Sequence, residues 1–281
     1  MPISRRSLFK RVASFSGLSF PPMMGLHKLQ SANAANSDRS FNPQPTHWRT
    51  FEVTTRVDIL NVDGSTRIWL PIPSINSHWQ KTEGNSFSSN GITKLHTDTL
   101  QKVQMLFAEF EAKIEKPFVE ITSRVQTQNR SSLLASVSAK EDPATLNFFT
   151  RATDLLPIDG IVKDTASKAI VGANSDFEKV RAIYDWIVSN AWREPKVRGC
   201  GEGDIKTMLE TGNLGGKCAD INALFVGLCR SVEIPARDVY GLRLAPSAFQ
   251  YKELSGNLAN LKASQHCRAE VHIKGQGWLA M

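Results

Sequence analysis

The junction Gly215-Gly216-Lys217-Cys218-Ala219-Asp220 constrains the fold more than any other stretch, because two glycines run directly into a helical pattern. Ile221, Leu224, Phe225, Leu228 and Val232 recur at helical spacing, which predicts a helix docked on a core by one face, with Cys218 in its first turn. At that position unpaired backbone N–H groups and the positive end of the helix dipole face the sulfur and favour thiolate over thiol. The two glycines are expected to leave room for a substrate backbone. An isolated cysteine in a regular element is most often a small buried hydrophobe, and Cys229 and Cys267 receive that reading. Cys218, with its diglycine approach, reads as a nucleophile.

A thiolate doing acyl transfer needs an imidazole to move the proton, and one follows at His266. The segment from His266 to Ile273 alternates, and Gly275 and Gly277 then make a turn, so it reads as a strand entering a hairpin. Alternation puts His266, Arg268, Glu270 and His272 on one face and Cys267, Ala269, Val271 and Ile273 on the other; only one of these can meet the Cys218 helix. His272 lies roughly 20 Å beyond His266 and reads as a packing or surface residue. Asp220 is expected to stabilise the helix start. The Cys218 backbone N–H is the expected oxyanion donor. Trp192 has two readings, an indole donor to the same oxyanion or packing at a helix end.

These residues together resemble the transglutaminase-like superfamily, papain-related thiol enzymes with a cysteine at a helix start and a histidine and an aspartate on neighbouring strands. The resemblance rests on Gly216-Lys217-Cys218-Ala219-Asp220, Leu224-Phe225, Arg230, Ile234-Pro235-Ala236-Arg237 with Gly241, and His266 to Glu270 with Gly277-Trp278, across roughly residues 160 to 281. It implies an α+β fold with the cysteine helix packed on an antiparallel sheet, Cys218 as nucleophile, and His266 as general base and acid. The substrate it implies is a protein or peptide amide, the thioester going to water or to an amine, with no cofactor and no metal. The third member, an aspartate, is expected just beyond Met281; because the chain stops within a core hairpin, the expectation is a truncated sequence. Glu270 shares a face with His266 but lies about two pleats away, a weak substitute. The alternative is a non-catalytic envelope or binding protein that keeps the fold.

The amino terminus reads separately. Ser4-Arg5-Arg6-Ser7-Leu8-Phe9-Lys10, an apolar stretch from Val12 to Leu26 and Ala32-Asn33-Ala34 resemble a removable twin-arginine export signal over residues 1–34. The expected location is therefore periplasmic or otherwise exported, with no membrane span in the mature form. The chain has 34 Lys+Arg and 27 Asp+Glu, but five of the bases lie in residues 1–34 with no acid, leaving 29 bases against 27 acids. The basic balance thus belongs mostly to the leader, and nucleic-acid binding loses its support. Among Cys200, Cys218, Cys229 and Cys267 there is no C-x-x-C pair, which argues against a thioredoxin-like site or a zinc ribbon.

Four segments follow: the signal at 1–34, a flexible leader at 35–47, a β module at 48–150 and the thiol-enzyme domain at 151–281. In the β module a strand bearing Phe51, Val53, Val57 and Ile59 is expected to turn at Val62-Asp63-Gly64 into a partner through Ile68-Trp69-Leu70, with further strands at 103–111 and 118–125. Pro143, Pro157 and Gly160 mark an expected linking region. Ser175 caps a helix with the stripe Phe177, Val180, Tyr184, Ile187 and Ala191, and a short helix runs from Asp204 to Gly212. A loop over 245–264 precedes His266. Oligomeric state is not encoded in any of these patterns.

Overall fold

The computed structural model describes residue 44 and residues 47–60, 63–99, 103–130, 141–247 and 255–281. The export-like segment, nearly all of the leader, Val62 of the expected turn and part of the 245–264 loop lie outside the described residues. Phe41–Met281 is one compact unit. Among the described residues no helix is long and apolar enough to cross a membrane.

Six strands come first: β1 (Arg49–Asp58), β2 (Thr66–Ile72), β3 (Gln80–Ser89), β4 (Ile92–Thr97), β5 (Gln104–Phe110) and β6 (Phe118–Thr127). They form two antiparallel three-stranded sheets, ordered β1-β6-β3 and β2-β5-β4. Leu106, Ala108 and Phe110 from β5, Ile72 from β2, and Val119 and Ile121 from β6 are buried together, so the apolar faces of both sheets share one core. The expected hairpin of β1 with β2 does not form: β1 pairs with β6 and β2 with β5. Each strand has one apolar face, and a single two-stranded ribbon would leave both faces uncovered; placing the strands in opposite sheets lets each cover the other.

The expected linking region instead contains helices. Asp142 caps α1 (Pro143–Phe148), whose proline sits in the first turn where its missing N–H costs nothing, and α2 begins at Gly160 (Gly160–Ala169). In α3 (Asp176–Asn190), Ser175 and Glu178 form the expected reciprocal cap. The buried face of α3 is Val180, Ile183 and Ile187, whereas Phe177 and Tyr184 are exposed, so the stripe is rotated from the expected one. After the short strand β7 (Trp192–Arg193), α4 (Ile205–Thr211) is capped by Asp204 and ends on left-handed Gly212. Then β8 (Gly215–Gly216) pairs in parallel with β7 and leads into α5 (Cys218–Ser231).

The last sheet contains β9 (Ala236–Leu242), β10 (Gln265–Ile273) and β11 (Gly277–Ala280), antiparallel with β10 in the centre. Helix α5 packs on it through Ala223, Leu224, Phe225 and Leu228, against Ala269, Val271 and Ile273 of β10. The architecture is α+β: a cysteine-bearing helix on an antiparallel sheet, preceded by antiparallel strands.

Candidate active site

Three elements converge at the start of α5. Asp220, in the first helical turn and buried, accepts from the N–H of Lys217 (2.9 Å) with Oδ2 and from the N–H groups of Glu202 (2.8 Å) and Gly203 (2.9 Å) with Oδ1. One carboxylate thus caps the helix and pins the 199–203 loop to it. Gly201 is required there, because its φ is +103° and a Cβ would sit 2.0 Å from the Asp220 carboxylate. The carbonyl of Cys200 in that loop accepts from the N–H of Ala219 at 2.9 Å.

The space beside the diglycine serves the protein itself. A Cβ on Gly215 would lie 2.5 Å from the Trp192 indole nitrogen, and one on Gly216 would meet the Asp220 side chain at 2.5 Å. The glycines therefore admit Trp192 and Asp220. Trp192 is held there by its pairing with Gly215 and is half-exposed.

The face of β10 that meets α5 is that of Cys267, Ala269, Val271 and Ile273. Cys267 is buried, as expected, but its sulfur is not isolated: it lies 3.6 Å from the Cys218 sulfur. Asn222, one turn along α5, donates to the carbonyls of Cys218 (2.7 Å) and Cys267 (3.1 Å) and accepts from the N–H of Ala269 (2.8 Å). Helix and strand are thereby tied at the two cysteines. The third sulfur, of Cys200, completes a cluster in which all three Sγ atoms lie within 4.8 Å of one another. Burial, together with the neighbouring Cys218, pushes the thiols of Cys200 and Cys267 up.

His266 precedes Cys267 and pairs with Gly241 of β9. Burial, followed by the charges of Arg243, Arg268 and Arg193, lowers its pKa, so the imidazole is held neutral and able to accept a proton. Among the described residues no hydrogen bond joins His266 to the Cys218 sulfur.

Glu270 is occupied elsewhere. It is 1% exposed and meets Arg130, Arg237 and Arg268 at once. Burial alone would raise its pKa, but the three guanidinium groups outweigh that and hold it below the ordinary value. Such a carboxylate has no capacity left to orient a histidine. His272 packs edge-on against Trp278 at 5.4 Å, the expected packing role, and Cys229 is fully buried in the core.

Two acidic and sulfur-bearing positions escape a reading of the sequence. Asp238 on β9 pairs with Ala269 and so lies on the helix-facing side, where burial raises its pKa to about 6 against the opposing charge of Arg230. Cys200, between Gly199 and Gly201, carries a signal only in retrospect: a residue flanked by glycines is one whose backbone is folded tightly against something.

Residues 163–281 match the family described as the transglutaminase-like superfamily. An uncharacterized protein of Haemophilus influenzae is 30% identical over 253 residues, which span 83% of this chain and 68% of the relative. A crystal structure of a candidate cysteine protease from Cytophaga hutchinsonii superposes with a TM-score of 0.61 at 17% identity, covering 85% of this chain and 77% of the other; at that identity the likeness is one of fold. The periplasmic domain of TgpA from Pseudomonas aeruginosa has a TM-score of 0.44 and 18% identity, covering 84% and 71%.

Proposed function

Because the chain belongs to the transglutaminase-like superfamily, we propose that it is a thiol enzyme in which Cys218 attacks the carbonyl of a protein or peptide amide and His266 manages the proton. The observation that carries this reading is the setting of Cys218, the first residue of a buried helix whose start is pinned by Asp220 and by the Cys200 carbonyl. The Cys218 N–H, at the first helical position and with no intrahelical acceptor, can donate to the developing oxyanion. The Trp192 indole, fixed beside Gly215, is the second candidate donor.

In the proposed reaction the Cys218 thiol passes its proton to the neutral His266 imidazole and the sulfur adds to the carbonyl carbon. The tetrahedral intermediate collapses as the C–N bond breaks, and the imidazolium returns its proton to the departing amine. Water or a second amine then attacks the thioester carbonyl and releases the thiol. This step requires the His266 imidazole to come within hydrogen-bond reach of the Cys218 sulfur in the substrate complex. Arg5 and Arg6 support export of this enzyme. Replacing both with Lys should leave uncleaved protein in the cytoplasm, and normal processing would remove that assignment.

The test of function is mass spectrometry for an acyl-enzyme, with ammonia or amine release, on glutamine-containing and ordinary peptides. It is run on the full chain, with circular dichroism to verify folding. The reading expects an adduct on Cys218 that disappears in Cys218→Ala and a large rate loss in His266→Gln. Persistent inactivity of the well-folded protein across varied amides would favour the non-catalytic reading, in which the β module is the working surface.

A further inference from the structure

We propose that Cys200, Cys218 and Cys267 form a three-thiolate site for a soft metal ion of the zinc and cadmium class, and that filling it withdraws Cys218 from catalysis. Only the second half rests on Cys218 being the nucleophile.

The spacing of the sulfurs argues for a metal over a disulfide. A disulfide needs two sulfurs at about 2 Å and would leave the third over. A metal–thiolate bond of about 2.3 Å sets tetrahedral sulfurs roughly 3.8 Å apart. Here one pair stands at 3.6 Å and all three lie within 4.8 Å, so small side-chain rotations bring them to one centre.

The three ligands also come from separate elements whose backbones are already tied together. The Cys200 carbonyl is bound to the start of α5, and Asn222 bonds the carbonyls of both Cys218 and Cys267. Ligands fixed in this way lose little freedom when an ion binds. Cys200 and Cys218 are only partly buried, which gives an entry path, while Cys267 closes the inner side. Asp238 adds a negative group near Cys267, and its Oδ1 is buried with no hydrogen-bond partner among the described residues. Three soft sulfur donors select thiophilic ions over magnesium or calcium. On binding, each thiol gives its proton to solvent as its sulfur takes the metal, and a sulfur whose lone pair is held by the ion no longer attacks a carbonyl.

The experiment is an anaerobic titration of the reduced, metal-free full chain with Cd2+. It is followed by ultraviolet thiolate-to-cadmium absorption and by native mass spectrometry, with circular dichroism to verify folding. The expected result is one ion per chain. Cys200→Ser, Cys218→Ser and Cys267→Ser should each weaken binding by more than the roughly 10- to 100-fold lost with an outer-shell partner, while Cys229→Ala should leave it unchanged. Absence of the absorption in folded protein, or unchanged binding in Cys200→Ser and Cys267→Ser, overturns the site. Formation in air of a Cys218–Cys267 disulfide by reduced protein that takes up no cadmium overturns it in favour of a redox pair. Where amide turnover is measurable it should fall as the site fills and return with chelator, and turnover indifferent to a filled site overturns the withdrawal of Cys218. Cadmium binding without turnover in any form would uphold the site and count against the nucleophile.

Discussion

At the scale of single residues, Asp238 is the most costly choice in the sheet, a carboxylate on the helix-facing side opposite Ala269. Burial raises its pKa to about 6, above the value of about 3.9 expected when unfolded. Between those two values the folded chain holds a proton that the unfolded chain has released. The protonated carboxyl is therefore tolerated fully below about pH 4, and stability declines as the pH rises toward 6 and levels off beyond it. Discounting for partial exposure, the penalty at pH 7.5 is about 1–3 kcal/mol. Asp238→Asn should recover about that amount at pH 7.5 and little at pH 4. Urea unfolding at both values checks this, and an equal effect at the two would remove Asp238 as the cause. The same scale shows what periodicity can and cannot convey. Asp220 was legible as a helix-start carboxylate and Cys229 as a core thiol, because both roles are local. Cys267 was legible only as buried, since alternation gives a residue its face but not the chain that crosses that face.

Among the elements, the contact that matters most is α5 on β10, and Asn222 holds it by three hydrogen bonds across the interface and within the helix. Removing that amide leaves the Cys267 carbonyl and the Ala269 N–H without it at a mostly buried seam, a loss of about 1–3 kcal/mol. Asn222→Ala should destabilise the protein by that amount and speed hydrogen exchange at the Ala269 amide more than at amides of the β1-β6-β3 sheet. Uniform exchange across both would mean that helix and strand are held by their apolar contacts alone. Elements with strong local signals were readable in advance: α3 by its reciprocal cap, α4 by Asp204 and Gly212, β5 and β6 by alternation. By contrast β3, with the sequence Gln-Lys-Thr-Glu-Gly-Asn-Ser-Phe-Ser-Ser, has almost no apolar alternation and is a strand because β6 offers it an edge. The pairing of β1 with β6 was equally hidden, because a turn signal speaks of the next strand and not of one sixty residues on.

The whole molecule is joined through Glu270, a residue whose role depends on partners as far as 140 positions away. One carboxylate takes Arg130, just beyond β6, together with Arg237 of β9 and Arg268 of its own strand. The surplus positive charge is spread over aromatic faces: Arg130 and Arg268 lie 5.0 and 4.8 Å from the Trp79 ring centre, and Arg237 lies 4.0 Å from that of Trp278. Arg130 also donates to the Trp278 carbonyl at 2.6 Å, so the segment after β6 is fastened to both β10 and β11. Because Glu270 is 1% exposed, its charge is kept from water and only these partners compensate it, and they in turn depend on it. Removing the one negative member leaves three clustered guanidinium groups repelling one another in a poorly solvated site. Glu270→Gln preserves shape and some hydrogen bonding but not charge, and should cost about 3–5 kcal/mol. Arg56→Gln, which removes exposed pairs with Asp58 and Glu120 on the β module, should cost far less. Urea unfolding of both variants at low and high salt separates the cases: the Glu270 loss should persist in high salt, where the exposed pairs fade. A Glu270→Gln loss as small as that of Arg56→Gln would mean that apolar packing, and not this cluster, joins the β strands to the β9-β10-β11 sheet.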